Sequence, residues 1–141
     1  VRVGDLVFIG GWVMRDLKFQ FLYKGLPFSS IDKGFNWHKK VYYLTDFIDK
    51  GLSATCDIHD ICELVAKRQF TESIDVHGNP IYEGDILTRE KNCMYSAGRE
   101  TEVVGFLDGK FTSGDACLAN IVEAFKPEVI GNIHQHPELL K

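Results

Sequence analysis

The hydrophobic and polar positions of this chain read mainly as short alternating runs. The cleanest is Leu17-Lys18-Phe19-Gln20-Phe21-Leu22-Tyr23, which puts Leu17, Phe19, Phe21 and Tyr23 on one face and Lys18 and Gln20 on the other. Successive side chains of a strand point to opposite faces, so this spacing predicts a half-buried strand. Ahead of it, Gly4-Asp5 leads into the apolar run Leu6-Val7-Phe8-Ile9, closed by Gly10-Gly11, which predicts another. Between Lys24 and Lys40, Gly25, Pro27, Ser29, Ser30, Asp32 and Gly34 are mixed with Phe28, Phe35 and Trp37. That mixture predicts a packed loop, followed by a short strand at Val41-Tyr42-Tyr43-Leu44 and one helical turn from Thr45 to Lys50.

Residues 53–68 satisfy two patterns. Ile58, Ile61, Cys62 and Val65 stand at helical spacing, with Asp57 and Asp60 early and Lys67 and Arg68 late, as a helix dipole favours. The run Ile61-Cys62-Glu63-Leu64-Val65 equally suits a strand, and both readings stay open. Farther on, Asp75-Val76-His77-Gly78-Asn79-Pro80 is a turn by its chemistry. Ile81 to Thr88 reads as a strand bent at Gly84-Asp85, and Lys91 to Arg99 as an exposed loop. Glu102 to Phe106 and Lys110 to Thr112 flank Asp108-Gly109, the signal of a tight hairpin. Ala116 to Phe125 fits helix or strand, Glu128 to His134 a closing strand, and Pro137-Glu138-Leu139-Leu140 a final turn that docks its two leucines.

Composition sharpens this picture. A chain of 141 residues with 45% hydrophobic and 26% charged residues has the length and balance of one globular domain. Its 10 Phe, 5 Tyr and 2 Trp favour strands, so a mainly β fold is expected. A net charge of -4 gives no overall field that attracts phosphate backbones. Lys18, Lys24, Lys33, Lys39 and Lys40 lie in the first third, while acidic residues are denser later. Cys56, Cys62, Cys93 and Cys117 are spread out without secretory context, which reads as free thiols in a reducing cytosol. The apolar run Leu6 to Met14 follows Asp5 and lacks a small-x-small cleavage pattern, and no run approaches the roughly 20 apolar residues of a membrane span. A soluble, intracellular protein without membrane contact is expected.

Few residues invite chemistry. Cys56, His59 and Cys62 form a C-x-x-H-x-x-C pattern with zinc-type ligands, but on a helix that spacing drifts around the cylinder and cannot converge on one ion. His134 and His136 would share one face of a strand and would need a third ligand such as His77 or Glu138. Glu83 and Asp85 could pose as paired carboxylates, but a Gly84-Asp85 turn whose carboxylate binds backbone N–H groups explains them better. No nucleophile elbow, phosphate-binding loop, metalloprotease helix or dinucleotide fingerprint is present, and no cofactor or metal is expected. The best candidate binding surface combines Trp37 and Tyr42, beside Phe28, Phe35 and Tyr43, with Lys39, Lys40, Lys33 and His38.

The run Gln69-Phe70-Thr71, then Asp75, Gly78 and Ile81-Tyr82-Glu83-Gly84-Asp85-Ile86, resembles the YopX family, as does the closing Val129-Ile130-Gly131-Asn132-Ile133 with Pro137-Glu138-Leu139-Leu140. Met14-Arg15-Asp16-Leu17-Lys18-Phe19-Gln20 echoes the way such proteins begin, which makes residues 1–13 an arm or extension and residues 14–141 a single YopX-like β domain. Three positions depart from the family pattern: Glu72 stands where the family has Gly, and His77 and His136 where it has Asn. The resemblance implies a mainly β fold with a partly open, SH3-like barrel, an extra hairpin and short helices. It also implies phage or prophage origin, a bacterial host cytosol, fold-defining roles for Tyr82, Glu83, Gly84, Asp85, Gly131 and Asn132, and no known activity.

The leading expectation is a non-enzymatic protein that binds, forming a homo-oligomer and contacting a phage or host protein, with the apolar Leu6 to Trp12 segment as a donor to a sheet edge. The alternatives are a nucleic-acid-binding module using Trp37, Lys39 and Lys40, and a small metal-dependent hydrolase using His134 and His136.

Overall fold

The computed structural model describes residues 2–3, 6–9, 12–15, 17–25, 37–43, 62–91, 94 and 96–141; for residues 2–15, Gly25, His38 and Cys62 only the backbone is described. The chain is mainly β and divides into two compact units, Val1–Gln69 and Phe70–Lys141.

In the first unit, β1 (Arg2–Val3), β2 (Leu6–Ile9) and β3 (Trp12–Arg15) form a three-stranded antiparallel meander. Leu6 pairs with Arg15 and Ile9 with Trp12, so the segment read as an arm is hydrogen-bonded to its own neighbours. The alternating run forms β4 (Lys18–Gly25), flanked by β5 (Trp37–Tyr43) on one side and β6 (Cys62–Ile74) on the other. Phe21, Tyr23 and Tyr42 make the core of this sheet, with Phe19 and Leu64 packed against it. The period of two thus places the β4 aromatics as expected, and Tyr42 meets the Phe21 ring edge-on with centroids 4.9 Å apart. Strand β5 begins at Trp37, earlier than its composition suggested, because β4 supplies a partner for every residue from Trp37 to Tyr43. The ambiguous stretch is strand from Cys62 onward; residues 53–61 and the helical turn expected at 45–50 lie outside the described residues.

Strand β6 continues into the second unit, where Phe70 pairs with Tyr82 and Ile74 with Pro80 of β7 (Pro80–Tyr82). Glu72 lies between those pairs with φ 67°, the left-handed conformation that lets the strand bulge. A five-stranded antiparallel sheet follows, built from β8 (Asp85–Glu90), β9 (Arg99–Leu107), β10 (Lys110–Ser113), β11 (Ala116–Cys117) and β12 (Glu128–Asn132) in the order β11-β10-β9-β8-β12. Asp108 and Gly109, at φ 52° and 76°, turn β9 into β10 as the Asp-Gly pair predicts. The undecided segment 116–125 is both things in turn: β11, then helix α1 (Leu118–Phe125), which buries Leu118 and Ile121. Lys126 ends the helix in the left-handed conformation, its N–H donating to the Val122 carbonyl, and Pro127 prevents continuation. Ile81, Leu87, Val104 and Leu118 form the core of this unit, with Phe111, Val122 and Val129 packed around it.

The outer edge of β12 is covered by the turn after β6. Val76 N–H donates to the Pro127 carbonyl at 3.0 Å, and the Asp75 carboxylate accepts from Val129 N–H at 3.1 Å, so side chain and backbone together replace a missing strand. Among the described residues no strand order closes on itself. The chain ends in a 3-10 turn, Pro137–Leu140. The docking expected of its leucines is partial: Leu139 Cδ1 lies against Gly131, yet Leu139 and Leu140 remain 37% and 46% exposed.

Candidate functional site

The four residues singled out on β5 do not form one surface. Alternation sends Trp37, Lys39, Val41 and Tyr43 to one face and Lys40 and Tyr42 to the other. Tyr42 is a core residue. Trp37 and Lys39 instead share their face with Lys24, which pairs with Trp37 and holds its ammonium 5.8 Å from the ring centroid. At the other end of the same face Lys18 pairs with Tyr43. The sequence grouped Lys18 and Lys24 with Lys39 as basic residues of the first third but did not place them beside Trp37, because they belong to a different strand.

The residues read as fold-defining meet around one point of the second unit. At the turn between β7 and β8, Gly84 has φ 84°, and the buried Asp85 carboxylate accepts from Tyr82 N–H at 2.8 Å. Gly84 then bridges two strands: its N–H donates to Val104 at 2.8 Å and its carbonyl accepts from Ile133 N–H at 2.9 Å. Asn132, also buried, accepts at Oδ1 from the N–H groups of His134 and Gln135 and donates to the Gln135 side chain. Gly131 lies under the His136 imidazole, where a Cβ would come within 2.7 Å of Nδ1.

The histidines of the H-x-H pair therefore pack on different glycines, His134 at Gly84 and His136 at Gly131. His136 Nδ1 accepts from Asn132 N–H at 3.4 Å. His77 faces Glu128, Nε2 to Oε1 3.3 Å, and Glu138 lies in the terminal turn. Among the described residues no group of three or more His, Cys, Asp or Glu side chains is arranged to hold a metal ion. Cys56 and His59 lie outside the described residues.

The row Val104, Gly84, Ile133 marks one end of the five-stranded sheet. Beyond Val104 along β9, Phe106 and Leu107 are 54% and 62% exposed; beyond β12, Ile133, Leu139 and Leu140 are each exposed by more than a third. These five side chains lie at the same end of the sheet, Phe106 and Leu107 on its opposite faces, with the Phe106 ring edge-on to Phe111 at 5.1 Å. At the opposite end, a groove of about 480 Å³ is lined by His77, Arg89, Arg99, Phe125, Lys126 and Glu128, among others. Arg89 is its fixed feature: its guanidinium bridges Glu100 at 2.8 Å and Glu102 at 3.3 Å and stacks 4.5 Å from the Phe125 centroid. Arg99 reaches Thr88 Oγ1 at 3.2 Å and Glu128 at 3.9 Å, so charges of both signs alternate along the groove. This groove was not legible in the sequence, because it depends on the β8–β9 register that sets Arg89 against Glu100 across a loop.

Among the described residues no helix is long and apolar enough to cross a membrane. No curated protein matches the chain. A solved structure similar to it is the crystal structure of protein EF1440 from Enterococcus faecalis, 27% identical, covering 92% of this chain and 78% of that one with a TM-score of 0.44. The family model described as YopX protein matches residues 30–141, most of the chain and all of its second unit, and the chain belongs to that family.

Proposed function

We propose that this YopX-family chain is a non-enzymatic binding protein that associates with protein, a second copy of itself first, through the apolar end of its second unit. The observation that supports this reading is that Phe106, Leu107, Ile133, Leu139 and Leu140 are exposed at one end of a sheet whose core is formed without them. Apolar area of this kind favours association by roughly 25 cal/mol for each Å² removed from water. Asp75 and Val76 hydrogen-bond the start of the β12 edge, at Val129 N–H and the Pro127 carbonyl, which disfavours strand addition there. The open sheet capped by that turn is read as a partly open, SH3-like barrel, and the setting as a phage or prophage protein in a bacterial host cytosol.

A pull-down of the intact chain from bacterial lysate, with and without nuclease, tests the reading. Recovery of a protein partner or of the untagged chain that survives nuclease, and its loss in the Phe106→Ser, Leu107→Ser double variant, is the expected outcome. Partners equally retained by that variant would contradict it.

A further inference from the structure

We infer that the β4–β5 face carrying Lys18, Lys24, Trp37, Lys39 and Tyr43 binds single-stranded nucleic acid, a site in the first unit that is separate from the apolar surface of the second. Three observations carry it. The first is the register: Lys24 stands directly opposite Trp37 and Lys18 directly opposite Tyr43, so each ring is paired with a cation on the same face. Lys39, exposed, lies between the two pairs. Trp37 and Tyr43 are six strand positions apart, a span of about 20 Å at roughly 3.3 Å per residue. That length accommodates several nucleotides, with bases against the rings and phosphates against the ammonium groups.

The second observation is charge. Residues 1–69 hold ten Lys and Arg against eight Asp and Glu, whereas residues 70–141 hold six against twelve. The net negative charge of the whole chain thus conceals a first unit of opposite sign, and this face carries Lys18, Lys24 and Lys39, with Glu63 of β6 opposite Lys24. The third is position. Among the described residues β5 is an edge strand, and Lys39 and Val41 are exposed there, while Leu22 and Arg68, on the β4 and β6 part of the face, are buried. A strand of nucleic acid would run along β5 rather than across the sheet. The rings give no base-specific hydrogen bonds, so recognition would be of an unpaired strand and not of a sequence.

The test is fluorescence anisotropy of labelled oligothymidylate and oligouridylate with the intact chain, folding of each variant being checked by circular dichroism. Binding is expected to weaken with salt on a log-log slope of about -2, from three lysines at about 0.7 each. Trp37→Ala and Lys39→Glu are each expected to weaken binding about tenfold, whereas Trp37→Phe, which keeps a stacking ring, stays near the parent. Lys110→Glu, an equal charge change on an exposed site of the second unit, is expected to leave affinity within about twofold. The inference is overturned by no binding at low salt, by a duplex binding as tightly as a single strand, or by Lys110→Glu acting as strongly as Lys39→Glu. It is equally overturned if polyglutamate displaces the oligonucleotide at equal charge concentration, which would make the face a site for acidic protein.

Discussion

A single buried carboxylate organises the turn that follows β6. Asp75 is buried, and its carboxylate accepts from the N–H groups of His77, Asn79 and Val129 and from the Asn79 side chain. Burial pushes its carboxyl up, and the backbone and side-chain hydrogen bonds from Asn79, Val129 and His77 outweigh that and hold it below its ordinary 3.8. A folded value below the unfolded one means that the carboxylate stabilises fully above the unfolded value, and that this is lost as pH falls from 3.8 through the folded value. Urea unfolding should therefore lose stability across that acid range, and Asp75→Asn should flatten the loss. Asp75→Ala should cost about 2–4 kcal/mol at neutral pH, since it removes the shared acceptor of the His77, Asn79 and Val129 donors at once. At Glu72 the opposite correction applies. The family has Gly there, and the φ of 67° gives the reason, because a side chain in the left-handed conformation costs roughly 1–2 kcal/mol. Glu72→Gly, which also frees the unfolded chain, should raise stability by about 0.5–1 kcal/mol in the same assay; a loss would show that the exposed Glu72 side chain matters more than its backbone.

At the scale of elements, legibility followed locality. The hairpin at Asp108-Gly109 could be read directly, since both residues supply the positive φ that the turn needs. The strand β4 was readable for the same reason, because alternation is a property of consecutive residues. By contrast β6 was ambiguous, as Ile61, Cys62 and Val65 fit a helical stripe and a short strand equally well, and pairing with β4 decided it. The candidate site on β5 was legible in composition but not in geometry. Trp37, Lys39, Lys40 and Tyr42 are near neighbours in sequence, yet the pleat divides them, and the true companions of Trp37 come from β4. The junction of β12 with the terminal turn offers a test at this scale. Gly131→Ala should cost about 1–3 kcal/mol, because its Cβ would crowd His136 Nδ1 at 2.7 Å and Leu139 Cδ1 at 3.0 Å. Adding His136→Ala should recover part of that loss, and a double-mutant cycle measures the coupling. Additive losses would mean that the imidazole does not rest on the glycine.

As a whole molecule, the chain joins a first unit with excess positive charge to a strongly acidic second unit, each with its own core. The second unit has two unlike ends, one where Phe106, Leu107, Ile133, Leu139 and Leu140 are exposed and one with a groove of both charges around Arg89. No catalytic constellation occupies either end among the described residues. The charge asymmetry was already visible in the sequence, with lysines in the first third and denser acidic residues later, whereas the exposed leucines of the terminal turn looked like docked residues. The central claim is that the apolar end is a contact surface between protein molecules. Sedimentation velocity of the intact chain over a range of micromolar concentrations tests it most directly, beside the Phe106→Ser, Leu107→Ser variant. Concentration-dependent association of the parent and a monomeric variant are expected; a parent that stays monomeric throughout, or a variant that associates equally well, would rule this surface out.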